Sequence, residues 1–154
     1  MHTDFFTLSP YDFDQTDLGW RALDAQGEYL EAARLVGAYI VQNKQHILKQ
    51  NKVSLQTIHF HAGQEYAMSG ETFYKDAVDH FCQAYKSKSN WDSYVKGTVA
   101  FLERDATELA IQAQHLNDSA AIDPQQKPNA KLLSNLLEGL SEGRYSYMEI
   151  YDQS

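Results

Sequence analysis

Apolar residues recur at intervals of three and four along most of the chain, which is the period of a helix with one buried face. The clearest run lies between residues 28 and 49, and it contains Tyr29, Ala32, Ala33, Val36, Tyr39 and Ile40. Strand signals are nearly absent, because alternating β-branched runs are few and no Asn-Gly or Asp-Gly dipeptide marks a hairpin turn. The pattern therefore predicts an all-α fold.

Prolines, glycines and capping residues divide this pattern into helices. No proline occurs between Pro10 and Pro124. The expected N-caps are Ser54, Thr72, Ser89 or Asn90, Asp105 and Asn129. Eight helices follow: the first starts at Asp14 or Thr16 and stops at Gly27, the fifth starts after Ser89 or Asn90 and runs through Phe101, and the others span residues 28–49, 55–69, 73–84, 106–116, 130–142 and 145–151. In chain order they form four antiparallel pairs, and the segment 117–128 is predicted to be the longest loop.

Length and charge narrow the class of protein. The chain has 154 residues, which suits one helical domain over residues 14–154, preceded by an N-terminal arm over residues 1–13. The formal net charge is -8, from 21 acidic and 13 basic residues, and an acidic surface repels the phosphates of nucleic acids and anionic membranes. The sequence therefore predicts that the protein binds neither nucleic acid nor a membrane.

The cysteine content and the N-terminus both favour a cytoplasmic protein. Cys82 is the single cysteine, which excludes an intramolecular disulfide and a multi-cysteine zinc site and fits a reducing compartment. The N-terminal residues lack the basic start and apolar run of a signal peptide. No apolar stretch approaches the roughly 18 residues that a membrane span needs. We expect a cytoplasmic location.

The arm carries an unusual number of large apolar side chains, namely Phe5, Phe6, Leu8, Tyr11 and Phe13. Such side chains are costly to leave in water. Three placements remain open. The arm covers the first helix pair, occupies a groove of the domain, or joins two subunits into a homodimer.

The turns within the helix pairs resemble one another. Three of them read Gly27-Glu28-Tyr29, Gly70-Glu71-Thr72 and Gly143-Arg144-Tyr145, and the remaining pair has Asp105 in place of glycine. Successive turns are 43, 35 and 38 residues apart. A helix pair of this length cannot bury its apolar face alone, so neighbouring pairs must stack.

The second pair carries the strongest motif, with Gly63 and Tyr66 on its first helix, Gly70 at the turn, and Ala77 and Phe81 on its second helix. In these positions the chain resembles the tetratricopeptide-repeat (TPR) superfamily, although it is divergent and lacks the family's helix-terminating proline. The resemblance implies stacked antiparallel helix pairs that form an α-α superhelix. It also implies that Gly63 and Ala77 permit close approach of the helices, while Tyr66 and Phe81 fill the space between them.

The resemblance further implies a non-enzymatic protein-binding or scaffolding module without a cofactor. Its partner would be a protein or a peptide, bound in a groove lined by the first helix of each pair. The predicted groove positions are Arg21, Phe60, Gln64, Met68, Val95 and Val99. The alternative interpretation is that these side chains pack against a neighbouring pair or against the arm.

A histidine cluster supports a different hypothesis. His59 and His61 flank Phe60, and Glu65 follows His61 by one helical turn, which is a spacing that metal ligands use. His59 and His61 point about 200° apart on a helix, so a third ligand would have to come from His80 or Cys82. A metal-binding helical protein using His59, His61 and Glu65 is therefore an alternative, and polar packing between helices is the simpler interpretation.

No catalytic residue is assigned. His80 cannot act as a base for Cys82 from the same helix, because residues two apart diverge, and Cys82 is interpreted as an interior or boundary thiol. A last alternative uses the overall charge: a small acidic cytoplasmic regulator could neutralise one protein partner by matching its basic surface.

Overall fold

Residues 4–154, the part of the chain that the computed structural model describes, form helices joined by turns and short loops, and they contain no strand. Nine α-helices are present in this part: α1 Pro10–Gln15, α2 Arg21–Ala25, α3 Tyr29–Lys49, α4 Leu55–Met68, α5 Tyr74–Phe81, α6 Ser89–Leu102, α7 Ala106–Ala120, α8 Lys127–Ser141 and α9 Tyr147–Asp152. Short 3-10 helices span Phe5–Thr7, Glu71–Phe73 and Pro124–Gln126. The predicted all-α class is confirmed.

The helices belong to two compact units. The first contains the described residues up to Ser69 together with Lys75–Ala84, and the second contains Gly70–Tyr74 and Tyr85–Ser154. In the first unit α3 packs against both α2 and α4. In the second unit α7 packs against α6 and α8, and α9 packs against α8. Consecutive helices thus bury their apolar faces on one another, as the periodicity predicts.

Several helix ends follow the predicted capping residues. The Ser54 hydroxyl accepts a hydrogen bond from the Thr57 amide at 3.0 Å, and the Asp105 carboxylate accepts one from the Glu108 amide at 3.1 Å. Gly143 has a φ of 75°, a conformation that only glycine adopts without strain. Local chemistry therefore determines these boundaries.

Other predicted boundaries are wrong. Thr72 lies inside a 3-10 helix and caps nothing, and α8 begins at Lys127 instead of after Asn129. The long loop is also shorter than predicted, because α7 continues to Ala120. The Asp123 carboxylate accepts a hydrogen bond from the Gln125 amide and so starts a 3-10 helix that leads directly into α8. Proline is tolerated in the first turn of a helix, where its missing N–H needs no partner.

The arm packs on the first unit. Its helix α1 is capped by Ser9, and the buried Phe13 ring stacks on the Tyr39 ring of α3 with centroids 3.8 Å apart. The Tyr39 hydroxyl donates a hydrogen bond to the Leu8 carbonyl at 2.7 Å. Of the three placements, the structure places the arm over the first helices, and the predicted arm boundary at residue 13 falls inside α1. The first three residues of the arm lie outside the described part of the chain.

None of the helices in residues 4–154 combines the length and the hydropathy that a membrane crossing requires.

Candidate functional site

A buried carboxylate, Asp14 of α1, organises the polar interior of the first unit. It accepts hydrogen bonds from the Trp20 indole N–H at 3.1 Å and from the Gln15 side-chain amide at 2.6 Å. The His61 Nδ1 atom lies 2.8 Å from the same carboxylate, and Arg21 Nε donates to the Asp14 backbone carbonyl at 2.7 Å. This side chain therefore links α1 and α4 with the residues around the start of α2.

The charge state of Asp14 is set by competing effects. Burial by itself raises the pKa of a carboxyl group, but the hydrogen bond and charge of His61 outweigh it, with help from Gln15 and Trp20. The pKa of Asp14 is therefore lowered from its ordinary value, and the group is an anion at neutral pH. The sequence shows Asp14 only as a candidate helix start, so its structural role was missed.

A second buried carboxyl group, Glu65, lies one turn after His61 on α4. Its residue surface is 2% exposed. Burial, a hydrogen bond with Asp24 and the Asp24 charge together raise the pKa of Glu65 to about 9, while Arg21 opposes the shift. Glu65 is therefore protonated and neutral at pH 7, which is how an acid avoids the cost of an unpaired buried charge.

Two histidines pair elsewhere in the first unit. The Nδ1 atoms of His59 and His80 are 3.0 Å apart, and the Tyr66 ring stacks on His80. Burial lowers the pKa of His59 to about 4, assisted by the charges of His80 and Lys44. Burial also lowers the pKa of His80, and Asp79 and Asp76 oppose that shift. At neutral pH one uncharged ring donates the hydrogen bond and the other accepts it.

The structure separates the residues of the metal-binding hypothesis. His59 faces His80, His61 faces Asp14, and Glu65 interacts with Asp24. Within residues 4–154, no group of three or more His, Cys, Asp or Glu side chains is arranged to hold a metal ion. Cys82, predicted to be an interior or boundary thiol, is exposed.

The predicted groove along the first helix of each pair is wrong at three positions. Phe60, Met68 and Val95 are buried, with exposures of 4%, 6% and 0%. The Phe60 ring packs against the Phe81 ring at a centroid distance of 5.2 Å, so it belongs to the interior. The other three positions are partly exposed: Arg21 and Gln64 in the first unit, and Val99 in the second.

A different concave surface occurs in the second unit. We call it the α8 groove, and it has a volume of about 550 Å³. Its lining residues come from α6, the start of α8, α9 and the chain end: Tyr94, Lys127, Pro128, Asn129, Lys131, Leu132, Tyr151 and Ser154. The lining combines two aromatic rings, one leucine and two lysines. Sequence reasoning missed this groove because its residues lie on three separate helices.

Comparison of the chain with protein-family models finds no match. Comparisons with curated proteins and with solved structures also find no significant match.

Proposed function

We propose that the chain is a non-enzymatic, TPR-like helical-hairpin protein that binds a protein or peptide partner. The hairpin assignment is supported by close helix contacts at glycine. A Cβ atom added to Gly63 of α4 would lie 2.8 Å from the Phe81 ring of α5, and one added to Gly139 of α8 would lie 2.5 Å from Ile150 of α9. In the second pair, this is the role that the TPR resemblance implies for Gly63 and Phe81.

The binding role rests on the α8 groove. Its volume of about 550 Å³ falls within the range of roughly 300–1,000 Å³ that is usual for ligand sites. Tyrosine rings beside polar and charged groups are typical of recognition surfaces, because the ring supplies contact area and the charges supply orientation. We therefore assign the partner to this groove and no longer to the first-helix positions.

The same proposal places the protein in the cytoplasm and excludes nucleic acid as the partner. A single, exposed cysteine fits a reducing compartment. The net charge of -8 disfavours binding to a phosphate backbone.

Affinity purification from the source cells with the tagged chain tests this function. We compare the native chain with Tyr151→Ala, which removes an aromatic ring that lines the groove, and with Ile122→Ala as a matched control. Ile122 is 89% exposed in the same unit and does not line the groove. Circular dichroism verifies that each variant is folded. A specific partner that binds the native chain and the control but not Tyr151→Ala supports the proposal.

Two other results would contradict it. A partner retained by Tyr151→Ala with unchanged affinity, measured with the purified pair, would remove the groove from the function. The absence of any specific protein partner would contradict the binding role itself.

A further inference from the structure

Two uncompensated positive charges face the α8 groove. Lys127 and Lys131 are exposed and lie one helical turn apart on α8. The ion pairs of residues 4–154 are His61–Asp14, Arg104–Glu71 and Arg144–Glu142, so neither lysine pairs with an acidic group. Like charges at this spacing on a helix repel one another. An anion placed between them would relieve that repulsion.

The N-terminus of α8 adds to the positive potential of the α8 groove. The helix begins at Lys127 and has no acidic residue in its first turn. The positive end of the helix dipole is therefore not offset by a carboxylate of the same turn. Asp123, the nearest preceding acid, accepts hydrogen bonds from the Gln125 amide at 3.0 Å and from the Gln126 side chain at 3.3 Å.

The other side of the groove is apolar. Leu132 and Tyr94 are 5% and 6% exposed, and Tyr151 is 38% exposed. The Tyr151 ring stacks on the buried Tyr147 ring at a centroid distance of 5.7 Å, which holds it in place. One side of the groove is therefore apolar and rigid, and it lies next to the two positive charges.

We propose that the α8 groove binds an acidic segment of the partner protein, with a carboxylate side chain between Lys127 and Lys131 and an apolar side chain against Leu132 and Tyr151. This inference rests on the proposed function and specifies the chemistry of the partner. Charge complementarity supports it, because two lysines that have no ion-pair partner within the described part of the chain line the same groove.

Fluorescence anisotropy with labelled synthetic peptides tests the inference. The probes are short peptides rich in glutamate, each with one central Leu, Phe or Trp, and matched peptides with glutamine in place of every glutamate. We expect the best acidic peptide to bind at least about tenfold more tightly than its neutral counterpart, and we expect added salt to weaken it.

Charge variants locate the binding. The double variant Lys127→Gln and Lys131→Gln is expected to lose the preference for acidic peptides. The matched double variant Lys49→Gln and Lys75→Gln removes the same charge from exposed lysines of the first unit and is expected to keep it. Thermal unfolding of both variants verifies that the fold is retained.

Each result that would contradict the inference can be recognised separately. Equal affinity for acidic and neutral peptides, or equal loss in both double variants, would overturn the inference while leaving a protein-binding role intact. Free glutarate that binds as tightly as the peptides would identify a small-anion site instead. Concentration-dependent dimers that dissociate in the Lys127→Gln and Lys131→Gln variant would identify a second copy of the chain as the occupant. Failure of the proposed function itself is recognised separately, by the lack of any partner in the affinity purification.

Discussion

The Nδ1 atoms of His59 on α4 and His80 on α5 lie 3.0 Å apart, although 21 positions separate the two residues in the sequence. The hydrogen bond between them needs one ring as donor and the other as acceptor, so it is lost when both rings are protonated. The groups that act on the pair are Lys44, Asp76 and Asp79, together with the Tyr66 ring stacked on His80.

Acid destabilisation through this pair is the first prediction. Because the pKa of His59 is about 4 when folded, against 6.5 ordinarily, the unfolded chain binds more protons between these values. The free energy of unfolding is therefore expected to fall as the pH drops below 6.5 towards 4. Solvent screening reduces the effect to about 1–2 kcal/mol. Urea unfolding followed by circular dichroism at several pH values measures it.

The variant His59→Gln is expected to reduce the loss of stability in acid, because glutamine does not titrate. His46→Gln is the matched control, since His46 is exposed on α3. An unchanged acid response in His59→Gln would show that other groups cause the destabilisation.

Glu65 is expected to produce the opposite pH dependence. Its folded pKa of about 9 lies above the ordinary value of 4.5, so the folded state holds the extra proton between these values. The free energy of unfolding should therefore fall as the pH rises through this range. Glu65→Gln stays neutral and can still donate a hydrogen bond to Asp24, so we expect it to be about 1–3 kcal/mol more stable than the native chain at pH 8.

Chemical denaturation at pH 5 and pH 8 checks this prediction, with the gain expected mainly at pH 8. Glu138→Gln, at an exposed position on α8, is the control and should change little. Equal stability of Glu65→Gln and the native chain at pH 8 would contradict a buried, protonated Glu65.

The Asp14 network is expected to contribute strongly to the stability of the first unit. Asp14→Ala leaves the Trp20 indole N–H and the His61 ring without their buried acceptor. We expect a loss of about 2–4 kcal/mol, since unsatisfied buried polar groups cost more than a hydrogen bond contributes. Thermal and urea unfolding measure the loss.

The control is Asp17→Ala, because Asp17 is exposed only three positions further along. Similar small effects of the two substitutions would mean that the Asp14 contacts are replaced by water at no cost.

Close packing at Gly63 gives a further prediction. Gly63→Ala places a methyl group 2.8 Å from the fully buried Phe81 ring, so the ring or the helix must move. We expect a loss of about 1–3 kcal/mol despite the better helix propensity of alanine. Differential scanning calorimetry measures it, and Phe81→Leu in the same chain should recover part of the loss.

Gly37→Ala is the matched control. Its added methyl group would lie 3.9 Å from the nearest atom, Nε2 of His80, which is an ordinary contact. Here we expect a gain of up to about 1 kcal/mol from helix propensity alone. If Gly63→Ala also stabilised the protein, close helix approach at Gly63 would not be required.

Agreement between prediction and structure is best where neighbouring residues decide the outcome. Ser54 and Asp105 cap their helices, since an N-cap needs only its own side chain and an amide three residues away. Thr72 fails as a cap because it lies inside the 3-10 helix Glu71–Phe73, and Asn129 fails because α8 already begins at Lys127. The helix α1 was missed because it continues from the arm into residues assigned to the next element.

The local pattern of the sequence determined the all-α class and most helix positions. These features depend on helical periodicity, capping and side-chain size, which are properties of short segments. Tertiary structure alone decided that Phe60 is buried, that His59 meets His80 and not His61, and that Lys131 and Tyr151 border one groove. The physical reason is that such contacts join distant segments, and their geometry arises only when whole helix faces pack together.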